Sequence, residues 1–328
     1  MKKLMMYKYI ILTMAVGLLT ACSRDNDELN PTKTDEPVPL SIVASIGEPI
    51  TRAAETAWSA GDNIGVYVTQ QNTTTAYTDM NGKEASNLKF TFSDGTNYET
   101  YGNTYRLFTS GTKIYLSENS VDVYGYYPYV STTSNPEAID IDLSDQTSQE
   151  NIDFMKARKG NVNNGTSAIE LLFKHRLTKL VFNLKQGEGL LPNELVDATY
   201  LGMKVKDLYY KATYNIFAED NAAPFAINTG SGITDIIPAK AAAAPTGYVR
   251  TYEAIVLPNY TGTYPVTSNP AANRTVEITF YHRADDQIVN KFIIPSTTLF
   301  RAGYKYTFNI TVNATSVTVD QQKYTEQW

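Results

Sequence analysis

Tyr304-Lys305-Tyr306-Thr307-Phe308-Asn309-Ile310-Thr311-Val312 alternates without a break, with Tyr304, Tyr306, Phe308, Ile310 and Val312 on one side and Lys305, Thr307, Asn309 and Thr311 on the other. Successive side chains of an extended chain point to opposite faces, so a period of two makes a strand with one apolar and one polar face. The same period recurs upstream. Leu40, Ile42, Ala44 and Ile46 share one face of a short strand, as do Ile64, Val66 and Val68, then Leu88, Phe90 and Phe92, Leu180, Phe182 and Leu184, and Val276, Ile278 and Phe280. Val121-Asp122-Val123-Tyr124-Gly125-Tyr126-Tyr127 is β-branched and aromatic. Gly61-Asp62, Asn81-Gly82, Asp94-Gly95, Gly230-Ser231-Gly232 and Ala302-Gly303 supply turns between the runs. Many short half-apolar strands separated by turns predict an all-β chain built of β-sandwiches.

Composition agrees. The chain has 328 residues, 42% hydrophobic and 19% charged, with 24 Tyr against 12 Phe. That is ample for a core and too charge-poor for a disordered protein. Tyr suits half-buried strands, where the ring packs and the hydroxyl stays wet. The net charge of −6, without a basic run, excludes a nucleic-acid partner. With two His and one Cys, a zinc-type Cys/His site and an internal disulfide are both excluded, and no metal or cofactor is expected.

The single Cys sits in an address. Met1-Lys2-Lys3 and Lys8 precede an apolar run, Ile10 to Leu19, of signal-peptide length and short of the ~20 residues of a full membrane span, which ends in Leu19-Thr20-Ala21-Cys22. This looks like a bacterial lipobox, so residues 1–21 read as a lipoprotein signal peptide and Cys22 as the lipidated first residue of the mature chain; a plain secretory signal and a short anchor are the alternatives. Two or more acyl chains would hold the protein stably on a membrane. Residues 22–39 are polar, acidic and proline-containing, and predict a flexible tether. Gln186-Gly187-Glu188-Gly189-Leu190-Leu191-Pro192-Asn193 is the best boundary inside the body, giving domains at 40–187 and 188–328.

Catalytic signatures are missing: there is no Gly-x-Ser-x-Gly, no phosphate-binding Gly-Lys-Ser/Thr loop and no His-Glu-x-x-His. His175 and His282 lie at strand ends and read as structural. Asp140, Asp142 and Asp145 could offer oxygen ligands to a hard cation, but the simpler reading is a solvated strand face with Ile139, Ile141 and Leu143 turned inward. Tyr98, Tyr101 and Tyr105, or Tyr209 and Tyr210, could form a sugar-stacking platform, against the plainer reading of strand packing. No enzyme activity is expected.

Several segments together resemble a family, the fimbrillin-like lipoproteins of the Bacteroides group. Trp58-Ser59-Ala60-Gly61-Asp62-Asn63-Ile64-Gly65-Val66-Tyr67 resembles their W-x-x-G-D-x-I-x-V-Y segment. Tyr124-Gly125-Tyr126-Tyr127-Pro128-Tyr129 is similar to their A-Y-Y-P-Y strand, with Gly125 where Ala is common. Phe173 to Phe182 resembles F-x-H-x-L-x-K-L, and Ala302 to Ile310, with the terminal Trp328, resembles their C-terminal strand. The resemblance implies two transthyretin-like, Greek-key β-sandwiches and export to the outer membrane as a lipid-anchored precursor. It further implies cleavage by an Arg-directed protease, then assembly with other fimbrial subunits, identical or different, by strand exchange. Carried onto this sequence, Ile50-Thr51-Arg52-Ala53-Ala54 offers Arg52 and Ala53 as the processing point. Leu40, Ile42, Ala44 and Ile46 form the displaced strand, and Phe308, Ile310, Val312, Val317 and Val319 are candidate donors. A host or bacterial surface receptor would be a further partner. The alternative function is a surface lipoprotein that binds carbohydrate, or acts as an adhesin, without polymerising.

Overall fold

A computed structural model describes residues 36–47, 58–100, 103–133, 135–196, 201–219, 222–261, 264–265, 274–282 and 286–327. The first strands are β1 (Val38–Pro39), β2 (Ile42–Ile46), β3 (Asn63–Gln70), β4 (Leu88–Thr100), β5 (Asn103–Thr109), β6 (Tyr115–Leu116), β7 (Val121–Tyr127), β8 (Ile139–Asp142), β9 (Met155–Val162) and β10 (Ile169–His175). Then come β11 (Thr178–Gln186), β12 (Gly202–Tyr209), β13 (Lys211–Tyr214), β14 (Phe225–Ile227), β15 (Ile233–Ile236), β16 (Ala239–Lys240) and β17 (Arg250–Val256). The last are β18 (Tyr260–Thr261), β19 (Tyr264–Pro265), β20 (Arg274–His282), β21 (Asp286–Ile294), β22 (Tyr304–Val312) and β23 (Val317–Gln327). Among the described residues the only helical segments are two 3-10 turns, so the all-β expectation holds. The period-two stripes sit where the sequence places them: Ile64, Val66 and Val68, and Phe308, Ile310 and Val312, all point into cores.

The first half closes on itself. Its strands run β10-β2-β5-β4-β3-β7-β9, and β9 pairs back to β10, making a seven-stranded barrel. The second half is an open sandwich of a five-stranded sheet, β16-β17-β11-β22-β23, and a four-stranded sheet, β15-β12-β20-β21. Leu180, Phe182 and Phe308 from one sheet and Val205, Ile278 and Phe280 from the other fill its core. Stacked rings of Phe182 and Phe308, 5.2 Å apart, mark its centre.

The change from one core to the other falls at Arg176–Leu177, ahead of the 187/188 break expected from sequence. Phe173 belongs to the barrel core, whereas Leu180 already belongs to the sandwich core. The Gly-rich stretch expected to divide the halves instead follows β11, whose end it leaves. A third core then binds the two halves. β8 from the first half pairs with β13 from the second, and β14 completes a three-stranded sheet. Ile139, Ile141 and Leu143 pack there with Tyr124, Tyr126, Phe154 and Tyr214. Gln146 exchanges two hydrogen bonds with the backbone of Ile255, at 2.8 and 3.0 Å.

Candidate functional site

The residues expected to be displaceable form β2, which takes part with β10 in the barrel's single parallel pairing. β2 lies between β5 and β10, antiparallel to the first and parallel to the second, with Ile42 opposite Phe108 and Ile169, and Ile46 opposite Phe173. Every other barrel pairing is antiparallel. All five β2 residues are buried. Ile42, Ala44 and Ile46 face the barrel core, and half-buried Leu40 packs against it, as the alternation predicts. Val43 and Ser45 are buried too, on the opposite face. The sequence pattern therefore understates the burial of this strand.

The chain is also held on either side of β2. Leu40 N–H donates to Ile114 O at 2.8 Å, and Gly47 N–H to Phe173 O at 2.6 Å. Pairing already begins at Val38, opposite Leu116, and Asn164 Nδ2 donates to Glu36 O. The end of the predicted 22–39 tether is thus laid against the barrel.

Trp58 is the principal side-chain clasp. Its Nε1–H donates to Ala44 O at 3.2 Å. Its indole meets Phe108, Tyr127 and Phe173 edge-on at 5.1–5.4 Å, a favourable aromatic geometry. Trp58 thus ties the backbone of β2 to side chains of β5, β7 and β10. Gly125 makes room for this cluster: a Cβ there would lie 2.7 Å from the Phe173 ring and 3.0 Å from a Leu171 methyl. This accounts for Gly where the family motif commonly has Ala. Neither role is visible in strand periodicity, although both residues stand within the quoted motifs.

A cleft of about 450 Å³ opens where β2 ends, lined by Ile46, Trp58, Asp62, Tyr127, Glu150 and Asp153, among others. Burial pushes the Asp62 carboxyl above its ordinary value, although Ser59 N–H (2.7 Å) and Tyr127 O–H (3.3 Å) both donate to it. Nearby, His175 Nδ1 lies 2.9 Å from the Asp153 carboxylate. Across the cleft Lys179 pairs with Glu253 at 3.0 Å.

The remaining predicted residues are scattered. Cys22, Arg52, Ala53, Tyr101 and Trp328 lie outside the described residues. Phe308, Ile310 and Val312 are fully buried in β22, flanked by β11 and β23. Val317 and Val319 lie on β23, the edge of that sheet, where Val319 is 36% exposed. His282 Nδ1 is 3.1 Å from Glu194 Oε2. Asp140 and Asp142 are exposed on β8, with Asp142 paired to Lys211 at 3.0 Å, and Asp145 accepts from Thr147. Among the described residues no group of three or more His, Cys, Asp or Glu side chains could hold a metal ion. Tyr105 is buried, and Tyr209 and Tyr210 are half-buried against the third core.

Among solved structures, a candidate cell adhesion protein of Bacteroides uniformis superposes with a TM-score of 0.62 at 24% identity, covering 88% of this chain and 98% of that one. One from Bacteroides ovatus gives 0.59 at 21% identity, covering 89% and 97%. At these identities the likeness is one of fold. A candidate fimbrium subunit of Bacteroides uniformis, Fim1C, is 31% identical over 222 residues, an alignment that spans 66% of this chain and 66% of the relative. The model of a family described as fimbrillin-like matches residues 51–328, from just ahead of Trp58 to the C-terminus. The chain belongs to the fimbrillin-like family.

Proposed function

We propose that the protein is a cell-surface fimbrial subunit whose β2 is a placeholder, removed so that a strand from another subunit can take its seat. In this reading the precursor is anchored through lipidated Cys22 and cut after Arg52. The cut severs β2 from the body of the molecule. The single observation that carries the reading is the position of Ile42–Ile46. Its five buried residues sit between β5 and β10, and their loss leaves an apolar groove bordered by two unpaired strand edges. Such edges take up an extended peptide by backbone pairing, with alternate side chains filling the groove.

The donor is better sought in β23 than in β22. Withdrawing Phe308, Ile310 and Val312 would tear β22 from two neighbours and empty the sandwich core, whereas among the described residues β23 pairs with β22 alone. β23 also carries the alternating Val317 and Val319. The fimbrial relative supports a shared assembly role.

The test is to cut the folded chain with an Arg-specific protease and follow its size on gels run without boiling. Ladders are expected from the cut chain and none from Arg52→Ala. Ladders should weaken when Val317 and Val319 are both changed to Asp. A cut chain that remains monomeric at high concentration, alone or with a peptide of residues 315–327, would show the reading to be wrong.

A further inference from the structure

The four-stranded sheet of the sandwich ends in two edges, β21 and β15. β21 pairs with β20 in unbroken register from Arg274–Ile294 to His282–Asp286. No other strand among the described residues pairs with its outer side. β15, at the opposite end, pairs among the described residues only with β12, with a register shift between Val205 and Leu208 of β12. Edges that must stay solitary are blunted by Pro, bulges or projecting charge. β21 has no Pro and no register shift against β20. Its one Lys, Lys291, is turned back onto Glu277 of β20 at 2.7 Å.

Both edges expose aliphatic side chains on the outer face of the sheet. Val289 and Ile293 of β21 are 44% and 60% exposed. Ile233 of β15 and Ile237 just beyond it are 53% and 63% exposed. These are four of the eight large apolar side chains exposed among the described residues. Between each pair sits one charge, giving Val289-x-Lys291-x-Ile293 on one edge and Ile233-x-Asp235-x-Ile237 on the other.

Charges alternate across the face. Asp235 approaches Lys204 of β12 at 3.7 Å. Lys204 stands opposite Glu277 in register, and Glu277 opposite Lys291. The row reads negative, positive, negative, positive, so the next charge called for beyond Lys291 is negative. Strand directions also alternate through the sheet. A copy displaced sideways would therefore bring its β15 antiparallel to β21. One register satisfies every position: Lys291 faces Asp235, Ile293 faces Ile233, and Val289 faces Ile237.

We propose that this sheet continues edge to edge into a second copy of the chain, with β21 of one copy pairing with β15 of the next in that register. The contact is heterologous, so it propagates side by side instead of closing as a dimer. It does not rest on the strand-exchange reading, because both edges are present while β2 is in place.

The test uses the uncut full chain in detergent, with Cys22 present in every sample as the baseline. Ile293→Cys chains and Ile233→Cys chains are mixed under mild oxidation, since directly opposed strand positions come within reach of a disulfide. The mixture should give at least tenfold more disulfide dimer than either variant alone. Equal crosslinking by Ile293→Cys alone would mean β21 pairs with itself and would overturn the proposal, as would no dimer above the Cys22 baseline. Charge reversal gives an independent reading by sedimentation. Asp235→Lys and Lys291→Asp should each weaken association about tenfold, and the double variant should recover it. A folded double variant no better than the singles would also overturn the proposal.

Discussion

β2 and β11 hold the same place in the two halves of the molecule. Each is the first strand in sequence of its sheet, and each is flanked by one antiparallel and one parallel neighbour: β5 and β10 for β2, β17 and β22 for β11. They differ in how they are held. β11 spans nine residues, follows β10 through only Arg176 and Leu177, and stacks Phe182 on Phe308 at the sandwich centre. β2 spans five residues and pairs with β5 at only Ile42, Val43 and Ala44. Burying Ile42, Val43 and Ile46 contributes roughly 1.5–3 kcal/mol each. Ordering five residues costs roughly 1–2 kcal/mol each. These nearly cancel, so the hold on β2 rests on ladder hydrogen bonds, on Trp58 and on covalent continuity. In the proposed reading the same topological position is permanent in β11 and provisional in β2, the two differing in strand length and attachment.

The comparison breaks most visibly at Phe182. Phe182→Ala should cost about 3–5 kcal/mol in urea unfolding, whether or not the chain has been cut after Arg52. Ile42→Ala should cost about 2–4 kcal/mol in the intact chain and nothing once the cut strand has left; an equal cost in both forms would erase the distinction. Trp58→Phe keeps one aromatic ring but loses the pyrrole half of the indole, and with it the hydrogen bond to Ala44 O and part of the packing. It should cost about 2 kcal/mol and speed the departure of β2 after cleavage, measured by stopped-flow fluorescence with a label at residue 45. The smallest effect is at the opposite edge. Val319→Thr on β23 should shift stability by no more than about 0.5 kcal/mol, which a thermal melt would check.

Much of this contrast could be read from the sequence, for a physical reason. A strand with one buried face must alternate, so β22, β20 and β11 announced themselves in the stripes at Tyr304–Val312, Val276–Phe280 and Leu180–Leu184. Periodicity carries no information about which strands pair or in what direction. The parallel seats of β2 and β11, and the β8–β13 pairing that joins the halves, were therefore hidden. Gly187, Gly189 and Pro192 give a stronger turn signal in sequence than Arg176-Leu177, where the change of core falls. The buried state of Val43 and Ser45 was missed because alternation marks only one face. Asp153 was missed as the partner of His175 because 22 residues of chain separate them. Trp58 lay in plain view within a motif, but only its position over Ala44 and Phe173 reveals what it clasps.

The most direct measurement is strand replacement followed by native mass spectrometry. The folded chain is cut after Arg52, purified by gel filtration, and offered an isotopically labelled peptide of residues 36–47. If β2 is provisional, the original segment is lost, the body keeps its sheet signal by circular dichroism, and one labelled peptide binds. A peptide with Ile42 and Ala44 both changed to Asp should not bind. Retention of the original segment through chromatography, or collapse of the body without it, would contradict the account.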